Sequence, residues 1–426
     1  MLLDFTCANY RSIQNKCTLS LLAQGIADEP KNNIALINKK LKVLKTAALY
    51  GANSSGKSNI IRAFSTMIKH IIDSVRLNES DELYYDPFQL STETISKPTF
   101  FEVTFTIDDL KYRYGFEYNR TDIVGEWLYS SKCGNKRETL MFLRTEEGIG
   151  VSDKAFPEGL GKEQSTVKNR LFLSLCAQLN GELSKKLMDE LGLMNVISGI
   201  YGRSYAGYSK VMLHQHLKGY NRALDFFKRT QLGFEEVKTV EKEIDKSLLP
   251  SNLPESVKEE LMNELRGKKN IELYTKHNVY DEKGQVVGSI HFDAEEAESD
   301  GTNKLIELSG PIFDTLTRGG ILWIDELDAK MHPLISQHIV NLFNNPKANP
   351  HNAQLVFSTH DTHLLSSRLL RRDQIWFTEK DKVEQTDLYC MMDIELPDGS
   401  KPRSDANFKR NYIAGRYGAI PFILND

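Results

Sequence analysis

Apolar and polar positions change their spacing several times along the chain, and each change predicts a different element. Ala47-Ala48-Leu49-Tyr50 is a short, wholly apolar run of the kind that forms a buried strand, and Asn59-Ile60-Ile61-Arg62-Ala63-Phe64 then takes up helical spacing. Thr99 to Ile107 and Lys111 to Tyr118 alternate apolar with polar, which predicts antiparallel strands joined at Asp108-Asp109. From about residue 150 to 285 the pattern is helical, over Arg170 to Gln178, Leu213 to Arg229 and Glu255 to Leu265, with a break at Pro250-Ser251-Asn252-Leu253-Pro254. Gly319-Gly320-Ile321-Leu322-Trp323-Ile324 and Gln354-Leu355-Val356-Phe357 then read as strands buried in a parallel sheet. The prediction is an α/β chain in three parts: 1–149 with antiparallel strands, a compact helical insertion over 150–285, and a second α/β part over 286–426.

Chemistry enters at the turn between the first buried strand and its helix, Gly51-Ala52-Asn53-Ser54-Ser55-Gly56-Lys57-Ser58. Glycines at this spacing let a loop wrap a triphosphate with its backbone N–H groups, and the helix after it points its positive end at the same phosphates. The reading assigns ATP contact to Gly51, Asn53, Ser54, Ser55, Gly56, Lys57, Ser58 and Asn59, with Lys57 on the β/γ-phosphates and Ser58 on Mg²⁺. Far along the chain, the apolar run 319–324 ends in Asp325-Glu326, a Walker B pattern. Asp325 is expected to hold Mg²⁺ and Glu326 to polarise the attacking water.

Composition adds mainly exclusions. With 426 residues, 40% hydrophobic and 26% charged, the chain has room for a sizeable core and two or three domains or lobes. A net charge of −4 gives no global attraction to nucleic acid or to an anionic membrane. No run of about 18 apolar residues and no basic leader is present, and the five scattered cysteines suit reduced thiols, so a cytoplasmic protein is expected. Basic residues cluster at Lys132–Arg137, Arg368–Arg372 and Lys401–Arg416 and read best as solvated faces.

The stretch after Walker B carries a resemblance. Leu327-Asp328-Ala329-Lys330-Met331-His332-Pro333, then the strand 354–357, then Ser358-Thr359-His360-Asp361 look like an ATPase head of the ATP-binding-cassette type, as in structural-maintenance-of-chromosomes proteins, DNA-repair heads and overcoming-lysogenization-defect nucleases. The opening Phe5 to Ile13 and the ending Ala414-Gly415-Arg416-Tyr417-Gly418-Ala419-Ile420-Pro421-Phe422 are similar to ATPase subunits of bacterial two-gene phage-defence modules, of the abortive-infection L and restriction-linked kinds.

The resemblance implies a mixed sheet with an antiparallel lobe, Asp328 as D-loop, His360 as γ-phosphate sensor, and Ser299 and Gly301 of Ser299-Asp300-Gly301-Thr302 as a signature acting on the opposite protomer's nucleotide. It further implies that Arg11 approaches the nucleotide and that Gln89 is a Q-loop Mg²⁺ ligand. Its partners would be a second copy in a dimer or higher even oligomer, a phage-derived trigger, and a co-encoded effector, most simply a Toprim-type nuclease. Nucleic acid is not required and no membrane is implied. The alternative is a repair or replication ATPase acting directly on DNA. A fused nuclease is disfavoured, because Asp393-Ile394-Glu395 is a lone carboxylate pair at the edge of an expected strand and too little for a two-metal site.

Overall fold

Three aromatic side chains far apart in sequence fix how the nucleotide-handling half is assembled. Phe64 on the helix after the glycine-rich loop stacks on Trp323 with ring centroids 4.3 Å apart, and Phe5 meets both edge-on at 5.0 and 5.9 Å. One helix is thereby clamped between two sheets. The computed structural model describes residues 1–244, 253–264, 267, 269–396 and 399–421. Leu265, Pro250 to Asn252 and Phe422, named above, lie outside the described residues.

By internal contacts the chain forms two units, 1–200 with 318–329 and 333–426, and 201–317 with 330–332. The first unit holds both sheets. A seven-stranded antiparallel sheet runs Gly148–Val151, Thr139–Thr145, Ile123–Lys132, Leu110–Tyr118, Thr99–Ile107, Leu2–Ala8 and Cys17–Ser20 in spatial order. Its central hairpin is the alternating pair expected from sequence, closed where Ile107 faces Leu110 and Asp108 takes a φ of +52°. In a six-stranded sheet, Met194–Ser198, Ile321–Asp325, Gln354–Ser358, Thr46–Tyr50 and Ile375–Lys380 lie parallel in that order, and Thr386–Cys390 adds an antiparallel edge. The α/β head expected from sequence is therefore present, with the glycine-rich loop and the Walker B carboxylates at the C-terminal ends of two parallel strands separated by Gln354–Ser358.

Three boundaries differ from expectation. Residues 150–200 stay with the first unit, because Met194–Ser198 pairs with the Walker B strand from Met194↔Ile321 to Ser198↔Asp325. The helix expected over 213–229 is two helices, Arg203–His214 and Tyr220–Thr230. Gly219 separates them with a φ of +101° against the backbone of Phe313, where a Cβ would lie within 3.2 Å of main-chain atoms. Finally, the second unit contains, besides helices, a three-stranded antiparallel sheet of Glu236–Glu243, Lys269–Tyr280 and Val286–Asp293. Its strands are rich in exposed charge and hide the period-two signal, while Lys242–Glu272 at 2.6 Å and Lys269–Glu241 at 2.7 Å tie neighbouring strands across the ladder.

Cysteines distant from any pairing motif also meet. Cys7 and Cys17 face each other across adjacent strands with sulfurs 3.6 Å apart, and both are free thiols. Among the described residues no helix is long and apolar enough to cross a membrane.

Candidate nucleotide-binding site

The loop Gly51–Ser58 leaves a fully buried strand and enters the helix Lys57–Asp73 through Gly56, whose φ is +112°. A side chain at Gly56 would also run into Thr386, so this glycine is required twice over. Thr386 belongs to the floor of the loop: its hydroxyl donates to the Ser55 carbonyl at 3.1 Å and lies 2.7 Å from the Ser12 hydroxyl, while Asn59 donates to Ser12 at 2.6 Å. Ser55 is held from another side by the Thr378 hydroxyl, 2.6 Å away.

Lys57 is buried, and its ammonium donates to the carbonyls of Gly51 at 2.8 Å and Ala52 at 3.0 Å. Burial lowers its pKa below the usual lysine value, opposed by Glu326, Asp325 and Asp328. Ser58 donates to Asp325 Oδ1 at 3.0 Å, and Ser358 donates to the same oxygen at 2.7 Å while accepting the Glu326 N–H at 2.7 Å. Glu326 itself sits at φ +58°, a strained position for a residue with a side chain. The strain is tolerated against Gly199, whose N–H donates to the Asp325 carbonyl at 2.5 Å and whose missing side chain leaves room for the Glu326 carbonyl. Asp328 accepts the His360 N–H with both carboxylate oxygens at 3.3 Å. Burial and the nearby Lys57 charge lower the His360 pKa below its ordinary 6.5, so the imidazole is mainly neutral at pH 7.

These groups open on a cavity of about 600 Å³ lined by Asn53 to Asn59, Glu326, His360 and Lys380, within the size range of ligand pockets. A second cavity, about 560 Å³, adjoins the first half of the loop and is walled by His360, Thr378, Glu379, Tyr412 and Ala419 to Pro421. The donor set fits Mg²⁺, since a hydroxyl and a carboxylate are hard oxygen ligands whose oxygens already lie 3.0 Å apart. Among the described residues no group of three or more His, Cys, Asp or Glu offers a competing cage, so phosphate and water would have to complete the shell.

A family model described as "AAA domain, putative AbiEii toxin, Type IV TA system" matches residues 47–175 and 216–366, well over half of the chain. The chain belongs to this AAA family. No curated protein matches it. Among solved structures it is similar to the SMC head domain from Thermotoga maritima, at 11% identity over 91% of this chain and 98% of that one with a TM-score of 0.40. It is also similar to the recombination mediator protein RecF-ATPrS of the RecFOR pathway, at 14% identity over 91% and 98% with a TM-score of 0.38.

In this AAA chain the predicted site residues fall into three groups. Gly51 to Asn59, Asp325, Glu326, Asp328 and His360 converge as described. Gln89 lines a separate cavity of about 280 Å³ with Arg11, Ser12 and Asn59, while Arg11 pairs with Asp86 at 2.8 Å. Ser299 and Gly301 belong to the second unit, where the exposed Ser299 hydroxyl accepts the Thr302 N–H at 3.1 Å and caps the helix Asp300–Arg318.

The other chemistry-bearing segments are structural. Asp393 lies in a single helical turn after the last sheet strand, not at a strand edge, and accepts the Cys390 N–H at 3.1 Å. In the basic run 368–372, Arg371 is buried against Asp373 at 2.8 Å and Arg372 pairs with Asp28 at 2.7 Å. Ser12, Gly199, Thr378, Lys380 and Thr386 escaped sequence reasoning. Ser358 alone carried a signal, as the first polar residue after an apolar strand.

Proposed function

We propose that the chain is a Mg-ATP-hydrolysing switch that closes with a second copy through composite nucleotide sites and controls a separate effector in bacterial anti-phage defence. The observation that carries the hydrolytic part is the convergence of Lys57, Ser58, Glu326 and His360 on one cavity, with Asp325 hydrogen-bonded to Ser58 at its edge. In this mechanism the loop N–H groups and Lys57 hold the β/γ-phosphates, the Lys57 ammonium exchanging the Gly51 and Ala52 carbonyls for phosphate oxygens. Ser58 and Asp325 hold Mg²⁺, which when bound neutralises phosphate charge. Glu326 takes the proton of the attacking water, and the neutral His360 is placed to hydrogen-bond the γ-phosphate.

Closure uses the same phosphate. The exposed Ser299 and the half-buried Gly301, at a helix N-terminus, would meet the γ-phosphate bound to the partner copy, so hydrolysis removes the bridge. Moving a closed-to-open ratio from 1:99 to 99:1 takes about 5.5 kcal/mol of differential affinity, a demand that two shared γ-phosphates can meet. The family description, naming a putative toxin of a type IV toxin–antitoxin system, supports a place in bacterial modules of this kind. The effector is proposed to be a co-encoded, Toprim-type nuclease held or released according to the ATP state, because the recognisable chemistry of this chain is used in handling ATP.

Replacing Glu326 by Gln keeps the shape and removes the base. Turnover should fall by about 10²–10⁴-fold while ATP binding persists. Full turnover in this variant would place the catalytic carboxylate elsewhere, and strong cleavage of DNA or RNA by the chain alone with Mg²⁺ or Mn²⁺ would refute a separate effector.

A further inference from the structure

Lys380 ends the strand Ile375–Lys380, the parallel neighbour of the strand that leads into the glycine-rich loop. Among the described residues it is the one shared by the linings of three adjoining cavities: that of Asn53 to Asn59 with Glu326, that of Gly51 to Ser55 with Tyr412, and that of Ser12 and Asn59 with Gln89. Its ammonium is committed to little. It lies 3.4 Å from Glu384, which is two-thirds exposed at the turn of the same hairpin, and an ion pair of this kind contributes little in water.

The charge balance of the cavity calls for such a group. A nucleoside triphosphate brings several negative charges to a site that already holds Asp325 and Glu326, while the buried Lys57 is the loop's own cation and His360 is kept neutral. Sheet order places Lys380 on the far side of the loop from that chemistry: the Walker B strand is reached from Thr46–Tyr50 by way of Gln354–Ser358, whereas Ile375–Lys380 flanks Thr46–Tyr50 on the opposite edge.

We propose that Lys380 is a nucleotide-binding residue, the second cationic side chain of the site, which leaves Glu384 for a phosphate oxygen of a nucleoside di- or triphosphate on the side away from Glu326. This rests on the nucleotide reading of the cavity. A group acting there grips substrate and product alike, so it works on affinity and hardly on the chemical step.

The test is calorimetric titration of the full chain with Mg-ATP and Mg-ADP, together with steady-state hydrolysis. For Lys380→Ala, Kd should rise roughly 10-fold for both nucleotides and KM should rise with it, with kcat changing less than threefold. Lys380→Arg should restore most of the affinity, and Glu384→Gln, by freeing the ammonium, should tighten binding about twofold. Wild-type affinity in Lys380→Ala overturns the proposal, as does a loss confined to ATP, which would put Lys380 on the γ-phosphate. Lys57→Ala is the control: if it too binds ATP normally, the nucleotide reading fails; if it loses binding while Lys380→Ala does not, only the role of Lys380 falls.

Discussion

The two segments assigned to phosphate, the glycine-rich loop and the Ser299-Asp300-Gly301 segment, are held in opposite ways. The loop is fastened by groups remote in sequence, with Thr386, Thr378 and Ser12 beneath it and Asp325 across from Ser58. The Ser299 segment is fastened lightly, by its own cap to Thr302 and by an exposed pair between Asp300 and Lys330 at 2.8 Å. A loop that must keep its shape around a ligand in its own chain needs rigid, distant support. A segment proposed to act on another protomer would need only a preformed helix end and an accessible Ser299.

The sharpest way to break this comparison is to disable each segment in turn. Lys57→Ala should weaken ATP binding about 100-fold, close to 3 kcal/mol, because a charge-assisted contact is lost where no nearby lysine on the loop replaces it. Calorimetry that finds wild-type affinity would remove the cis site altogether. Ser299→Arg, in contrast, should bind ATP normally and yet fail to hydrolyse it.

A mixture of the two inactive proteins gives a smaller but more discriminating effect. Each mixed dimer retains one intact composite site, so a fraction of wild-type hydrolysis, at most about half per dimer, should return. If mass measurement confirms heterodimers and activity stays at zero, the Ser299 segment does not act in trans.

The smallest effect is that of acid on the unit that holds the glycine-rich loop. His70, near the end of the loop's helix, hydrogen-bonds the Tyr84 carbonyl at 3.1 Å, and burial lowers its pKa from 6.5 to about 4. The unfolded chain therefore takes up a proton that the folded chain refuses as pH falls from 6.5 towards 4, and stability drops over that window. Replacing His70 by Gln should flatten the decline in denaturant-melt stability, and an unchanged slope would show that the ring titrates normally.

Much of the fold and site was legible in the sequence where a single segment carries the whole signal. The hairpin 99–118 announced itself by alternation, the loop by its glycines, and Walker B by an apolar run ending in carboxylates. Less visible were features made by convergence. Gly199 matters only because Glu326 is folded against it, and Thr386 only because Gly56 leaves room for it; neither neighbour can be read from local spacing. The sheet of the second unit was hidden for another reason, since strands with little buried face owe their pairing to charges that equally suit a solvated helix. The basic run 368–372 misled in the opposite direction, because Asp28 and Asp373, which neutralise it, are supplied by the fold.

The floor of the glycine-rich loop has a consequence for how the protein is made. Ser12 and Thr386 are 374 positions apart, and the Leu2 N–H is received by Gln354 from nearly as far. A nascent chain emerging from the ribosome can form the antiparallel sheet early, from its first 151 residues. It has no floor for the phosphate cradle until residue 386 is out, well after the loop and its helix have been made. Nucleotide capture is thus reserved for chains extended past residue 386, and fragments released earlier would carry a glycine-rich loop without the shape to use it.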